Sequence, residues 1–141
     1  MKKRRSRSRG VVLSSAKWTQ LMDAARAVRR RAFAKYSKFR VGAAILTAKG
    51  TIYTGCNVEN ASYGLTNCAE RTAIHSAVAQ EGPRMRVLAV AVADGKGPCS
   101  PCGACRQVIY QFGPEATVLF KAATGWKHSH ITELLPHGFR L

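Results

Sequence analysis

RVLAVAVADGKGPCSPCGACRQVIYQF, residues 86–112, decides how this chain folds. Its opening, RVLAVAVA (86–93), is nearly all apolar, as expected for a strand covered on both faces. Gly95-Lys96-Gly97-Pro98 then breaks the pattern, and Cys102 to Phe112 reads as a helix closed by Gly113-Pro114. Upstream, Cys68 to Gln80 carries Ala69, Ala73, Ile74 and Ala77 at helical spacing and ends at Gly82-Pro83. Further upstream, VGAAILT (41–47), a turn at Ala48-Lys49-Gly50 and TIYTGCNV (51–58) read as a hairpin. Ser14 or Ser15 caps a helix expected to run to about Ala34, with Leu21, Ala24, Ala25, Val28 and Ala32 on one face. Downstream, residues 116–121 read as a strand, a loop holds His128 and His130, and residues 131–135 read as a short helix. The order α-β-β-α-β-α-β predicts a three-layer α/β sandwich whose first two strands are antiparallel.

With 141 residues and 46% hydrophobic content, one packed domain is expected. Residues 1–13 are read as a disordered basic arm and residues 14–141 as a single domain. Six of the 23 basic residues lie in the first ten positions, and the remainder still outnumber the seven acidic residues more than two to one. A net charge of +16 keeps non-specific contact with nucleic acid through the arm among the expectations. No membrane-spanning run and no apolar signal segment are readable, so a cytoplasmic location is expected.

The cysteines are Cys56, Cys68, Cys99, Cys102 and Cys105. An odd number with three crowded together argues against a disulfide framework and for metal ligands or nucleophiles in a reducing compartment. Cys102 and Cys105 lie three apart at a helix start and face the same way. Each of the two helices follows a strand, so both N-termini point to one edge of the sheet, and Cys68 can join the pair. Helix N-termini favour the thiolate that a metal needs. Three sulfur ligands favour zinc and leave a fourth position open, the pattern of a catalytic site. Glu70 is placed to lean over the metal and handle protons. A closed structural zinc site completed by Cys56, Cys99 or a histidine, and a redox Cys-x-x-Cys pair, are the alternatives; the latter lacks its usual βαβ surroundings. Cys-Ala-Glu followed by Pro-Cys-x-x-Cys matches the known signature of zinc deaminases in its three-cysteine form.

From these residues outward the chain resembles the small, homotetrameric, zinc-dependent cytidine deaminases over about residues 16–139. The matching segments are YSKFRVGAA (36–44), GCNVENA (55–61), NCAERTA (67–73), SPCGACRQ (100–107) and ELLP (133–136). The resemblance implies a three-layer α/β/α sandwich around a mixed sheet of roughly five strands, and hydrolytic deamination of cytidine and deoxycytidine in pyrimidine salvage. It implies that Cys68, Cys102 and Cys105 hold one Zn²⁺. Glu70 would move protons between the attacking water, ring N3 and the leaving ammonia. Asn57 and Glu59 would bind the ribose hydroxyls, Phe39 would pack on the pyrimidine, and the Ala69 N–H would meet the base carbonyl. Arg71 would hydrogen-bond the ligand sulfurs and offset the −1 charge of three thiolates on Zn²⁺. Tyr63 and Phe139 would reach the site of a neighbouring subunit, so that active sites are shared in a homotetramer. Arg40 stands where the family usually carries proline. Other readings are a deaminase of cytosine in nucleic acid or of a nucleoside antibiotic such as blasticidin S, and a non-catalytic, zinc-stabilised RNA-binding module.

Overall fold

The computed structural model describes residues 10–94 and 96–141. In chain order the elements are α1 (Ser15–Arg29), β1 (Val41–Thr47), β2 (Ile52–Cys56), a 3₁₀ turn (Tyr63–Leu65), α2 (Ala69–Glu81) and β3 (Val87–Asp94). They continue with α3 (Gly103–Phe112), β4 (Thr117–Ala122), β5 (Gly125–His130) and α4 (Ile131–Leu134). One sheet forms in the order β2-β1-β3-β4-β5. β1 is antiparallel to both β2 and β3, β3 is parallel to β4, and β4 is antiparallel to β5.

β1 has every residue buried because its two faces serve different layers. Ala44 and Leu46 pack with Ala89, Ala91 and Ala93 of β3 against Leu21, Met22 and Ala25 of α1. Val41, Ala43 and Ile45 point the other way, with Val90 and Val92, into a core closed by Ala73 and Ile74 of α2 and Ile109 of α3. The three-layer α/β/α sandwich expected from the sequence is therefore what the structure shows. α1 lies so close to β1 that a Cβ on Gly42 would stand 1.9 Å from the Ala25 carbonyl oxygen and 2.8 Å from the Arg29 nitrogen.

Three expectations need correction. α1 stops at Arg29 instead of about Ala34. After a tight turn, the Phe33 N–H donates to the Asn57 carbonyl and the Glu59 N–H donates to the Phe33 carbonyl. That pairing with the chain beyond β2 replaces the helical bonds. Residues 125–130, read as a loop, form β5, which pairs with β4 from Thr117↔His130 to Ala122↔Gly125. This edge strand carries GWKHSH, polar and mostly exposed, so the apolar alternation that marks a strand is missing. Residues 1–9 of the expected arm lie outside the described residues. Of residues 10–13, assigned to the same arm, Val11 and Leu13 are instead docked: the Val11 N–H donates to the Glu115 carbonyl, the Thr117 hydroxyl donates to the Val11 carbonyl, and Leu13 packs against the α1 core, while Val12 stays exposed. Among the described residues no helix is long and apolar enough to cross a membrane.

Candidate metal centre and substrate cleft

The first residues of β1 and the last residues of β2 and β3 meet at one edge of the sheet, since Val41 is paired with Asp94 and Gly42 with Cys56. The chain leaves β2 and β3 there and starts α2 and α3. Cys68 is the N-cap of α2 and Cys102 the N-cap of α3, both with extended backbone. Cys105 lies in the first turn of α3 and is fully buried. The three sulfurs lie within 4.8 Å of one another, and no histidine or carboxylate belongs to the group among the described residues.

The donor set fits zinc. Zn–S bonds of about 2.3 Å at tetrahedral angles put two sulfurs about 3.8 Å apart. The Cys68 and Cys102 sulfurs are 3.7 Å apart. Neither N-cap cysteine uses its side chain to cap its own helix, so both sulfurs are available to an ion.

The electrostatics suit a shared anionic centre. Hydrogen bonding from Cys105, with further bonds from Arg71 and Cys102, brings the Cys68 thiol down to about 5. The same bond to Cys68, together with burial, drives the Cys105 thiol upward. The Arg71 guanidinium donates from Nη2 to the Cys68 sulfur at 3.2 Å, and this contact raises its own pKa. Glu70, the second residue of α2, is 4% exposed, and burial raises its carboxyl pKa above the ordinary range. Its Oε2 accepts from the Cys105 thiol at 3.6 Å, so the carboxyl group stands beside the sulfur triangle without belonging to it. Cys99 is half-buried, and desolvation pushes its thiol up to about 12, unlike that of Cys68.

The other residues singled out from the sequence divide into two groups. Phe39, Asn57, Glu59 and Ala69 gather at the same edge of the sheet. Ala69 is the first residue of α2, where a backbone N–H has no intrahelical partner and is free to donate. Asn57 is engaged twice: its Oδ1 accepts from the Val41 N–H at 2.8 Å, and its Nδ2 donates to the Phe39 carbonyl at 2.7 Å. Glu59 Oε1 accepts from the N–H groups of Tyr36 and Ser37 at 2.8 and 3.1 Å. A hydrogen bond with the Ser37 side chain, helped by these N–H groups, holds the Glu59 carboxyl below its ordinary value. Both residues therefore brace the segment that carries Phe39, a role that sequence reading missed. Their spacing, two residues apart just beyond β2 and opposite the entry to β1, was the available signal. Tyr63 and Phe139 form the second group and are 75% and 70% exposed. The Tyr63 and Tyr36 rings meet edge to face, with centroids 6.0 Å apart.

Comparison with known proteins assigns this arrangement. Residues 15–121 match the family model for the cytidine and deoxycytidylate deaminase zinc-binding region. A cytidine deaminase of Sporosarcina psychrophila is 47% identical over 122 residues, which span 85% of this chain and 89% of that one. The crystal structure of a cytidine deaminase from Burkholderia pseudomallei, 44% identical, superposes with a TM-score of 0.77 over 90% of this chain and all of that one. One from Mycobacterium tuberculosis, 39% identical, gives a TM-score of 0.78 over 88% of this chain and 98% of that one. The chain belongs to the cytidine and deoxycytidylate deaminase family of zinc-binding enzymes.

Proposed function

We propose that this chain hydrolyses cytidine and deoxycytidine to uridine and deoxyuridine with release of ammonia. The observation that carries the reading is the buried Glu70 carboxyl group standing beside a triangle of three cysteine sulfurs spaced for zinc. Cys68, Cys102 and Cys105 would hold the ion. Bound zinc supplies the Lewis acidity that makes hydroxide available at neutral pH.

Glu70 carries the protons. It takes one from the attacking water and places it on ring N3 as the oxygen adds to C4. It then carries the remaining hydroxyl proton to the exocyclic amine, which leaves as ammonia. The product retains the N3 proton and a C4 carbonyl, so atoms balance. Burial raises the Glu70 carboxyl pKa above its ordinary value, and a positioned carboxyl group serves as acceptor and donor in turn. Arg71 spreads the charge of the thiolates through its contact with Cys68. The free first-turn N–H of Ala69 orients the base carbonyl. Phe39 packs on the pyrimidine. Asn57 and Glu59 keep unused hydrogen-bonding capacity for the ribose hydroxyls while bracing the Phe39 segment.

We read the chain as a single catalytic domain behind a basic arm, acting in pyrimidine salvage in the cytoplasm as a homotetramer. The exposed rings of Tyr63 and Phe139 support shared sites, since each is free to enter a neighbouring subunit's cleft.

The test is ammonia release from cytidine by the zinc-loaded protein and by its Glu70→Ala variant, with zinc content measured in both. The variant should keep its zinc and lose roughly 10²–10⁴ in rate or more. Near-normal turnover by Glu70→Ala would overturn the proton-transfer role.

A further inference from the structure

Lys38 and Arg40 flank Phe39 in sequence, yet both line a cavity that Phe39 does not enter. The cavity measures about 330 Å³, and its walls are Arg29, Arg30, Lys38, Arg40, Asp94 and Lys96. Five basic residues and one acidic residue thus line one small volume, with Arg30, Lys38, Arg40 and Lys96 exposed at its rim. The cavity sits where the end of α1 meets the entry to β1 and the exit of β3.

Charge balance within the chain does not account for this cluster. Among the described residues the one ion pair is Arg26–Asp23, between exposed side chains. Asp94, the carboxylate on the cavity wall, accepts from the Lys96 backbone N–H at 3.1 Å. Arg29 and Arg30 close α1, where cations favourably meet the negative end of the helix. Lys38, Arg40 and Lys96 come from two other segments and have no such reason to converge. Lys38 also holds a left-handed backbone, φ 60°, a conformation that glycine adopts more readily.

We propose that this cavity is a seat for a phosphate group, and specifically for the dianionic phosphate monoester of a free nucleotide. Arginine forks match phosphate oxygens two at a time, and a compact dianion offsets converging cations better than a singly charged phosphodiester does. The seat is separate from the sulfur triangle. It touches the nucleoside cleft through the two residues on either side of Phe39.

The probes are inorganic phosphate and cytidine 5′-monophosphate, titrated calorimetrically into the full-length, zinc-loaded protein at fixed ionic strength. An oligodeoxycytidylate without terminal phosphates serves as the polyanion comparator. Two double variants remove equal charge. Arg30→Ala with Lys96→Ala strips the cavity, and Lys17→Ala with Lys49→Ala strips cations elsewhere. The first should weaken both phosphate probes by roughly tenfold or more while the second leaves them unchanged. Equal weakening by both pairs, or binding of the oligonucleotide with none of inorganic phosphate, would overturn the proposal. Thermal unfolding checks that the variants remain folded. Cytidine turnover, measured alongside, reports on the deaminase reading independently, because neither pair touches the residues assigned to it.

Discussion

Removing the Asn57 side chain tests whether the cleft is braced from within. In Asn57→Ala the Val41 N–H loses its side-chain acceptor and the Phe39 carbonyl loses its donor. Two net hydrogen bonds contribute about 0.5–1.5 kcal/mol each, and an unpaired buried donor adds about 1–3 kcal/mol. The second figure applies because Val41 is only 7% exposed. The expected loss is about 2–6 kcal/mol. At about 2–4 °C per kcal/mol for a domain of this size, the melting temperature should fall by about 4–24 °C. Asn57→Asp separates the two bonds. It keeps an acceptor for Val41 but sets a carboxylate oxygen against the Phe39 carbonyl. Its effect should fall more on cytidine KM, through Phe39, than on melting. The assays are thermal unfolding and steady-state kinetics of both variants. If Asn57→Ala melted with the unaltered protein and only raised KM, Asn57 would be a ligand contact alone and the bracing argument would fail.

Three further outcomes follow from what surrounds each residue. Gly42→Ala should destabilise by about 1–3 kcal/mol or more, because its Cβ would meet fixed backbone of α1 rather than a flexible side chain. Gly64→Ala, with nothing within 4 Å of the added carbon, should unfold in urea close to the parent midpoint. Arg71→Gln should weaken zinc binding by about 10–100-fold in competition with a chromophoric chelator, since it removes the cation held 3.2 Å from the Cys68 sulfur.

What sequence reading could reach depended on how local each signal was. β1 was legible to the residue because VGAAILT lies between a polar entry and a lysine-glycine turn. The sulfur triangle was legible because two helix starts that each follow a strand must share an edge. Glu70 was also legible, since its place in α2 follows from its distance from Cys68. The end of α1 was not, because its apolar spacing continues to Ala32 while Phe33 is taken by Asn57 and Glu59 from across the sheet. β5 was hidden by its polarity, because the edge of a sheet does not need the apolar alternation that marks a half-buried strand. The side-chain bracing of the Phe39 segment was invisible for a related reason. Asparagine and glutamate near a turn look the same whether they face a ligand or a backbone.

The two N-caps show what the chain gives up to build its centre. A helix start ordinarily carries serine, threonine, aspartate or asparagine, whose side chain satisfies a first-turn N–H and stabilises by about 1 kcal/mol. Ser14 does this for α1, accepting from the Lys17 N–H. At α2 and α3 a cysteine holds that position, and its side chain makes no capping bond. Two neighbouring helices thus omit the same stabilising contact at the same edge, leaving sulfurs and positive helix ends directed to one point. α2 is held by another means. A Cβ on Gly55 would stand 2.3 Å from the Ala73 nitrogen and 2.5 Å from the Ala69 carbonyl oxygen, so the first turn of α2 rests directly on the β2 backbone. Close backbone packing takes over from the missing cap and keeps Cys68, Ala69 and Glu70 in place, leaving the Cys68 thiol and the Ala69 N–H free for chemistry.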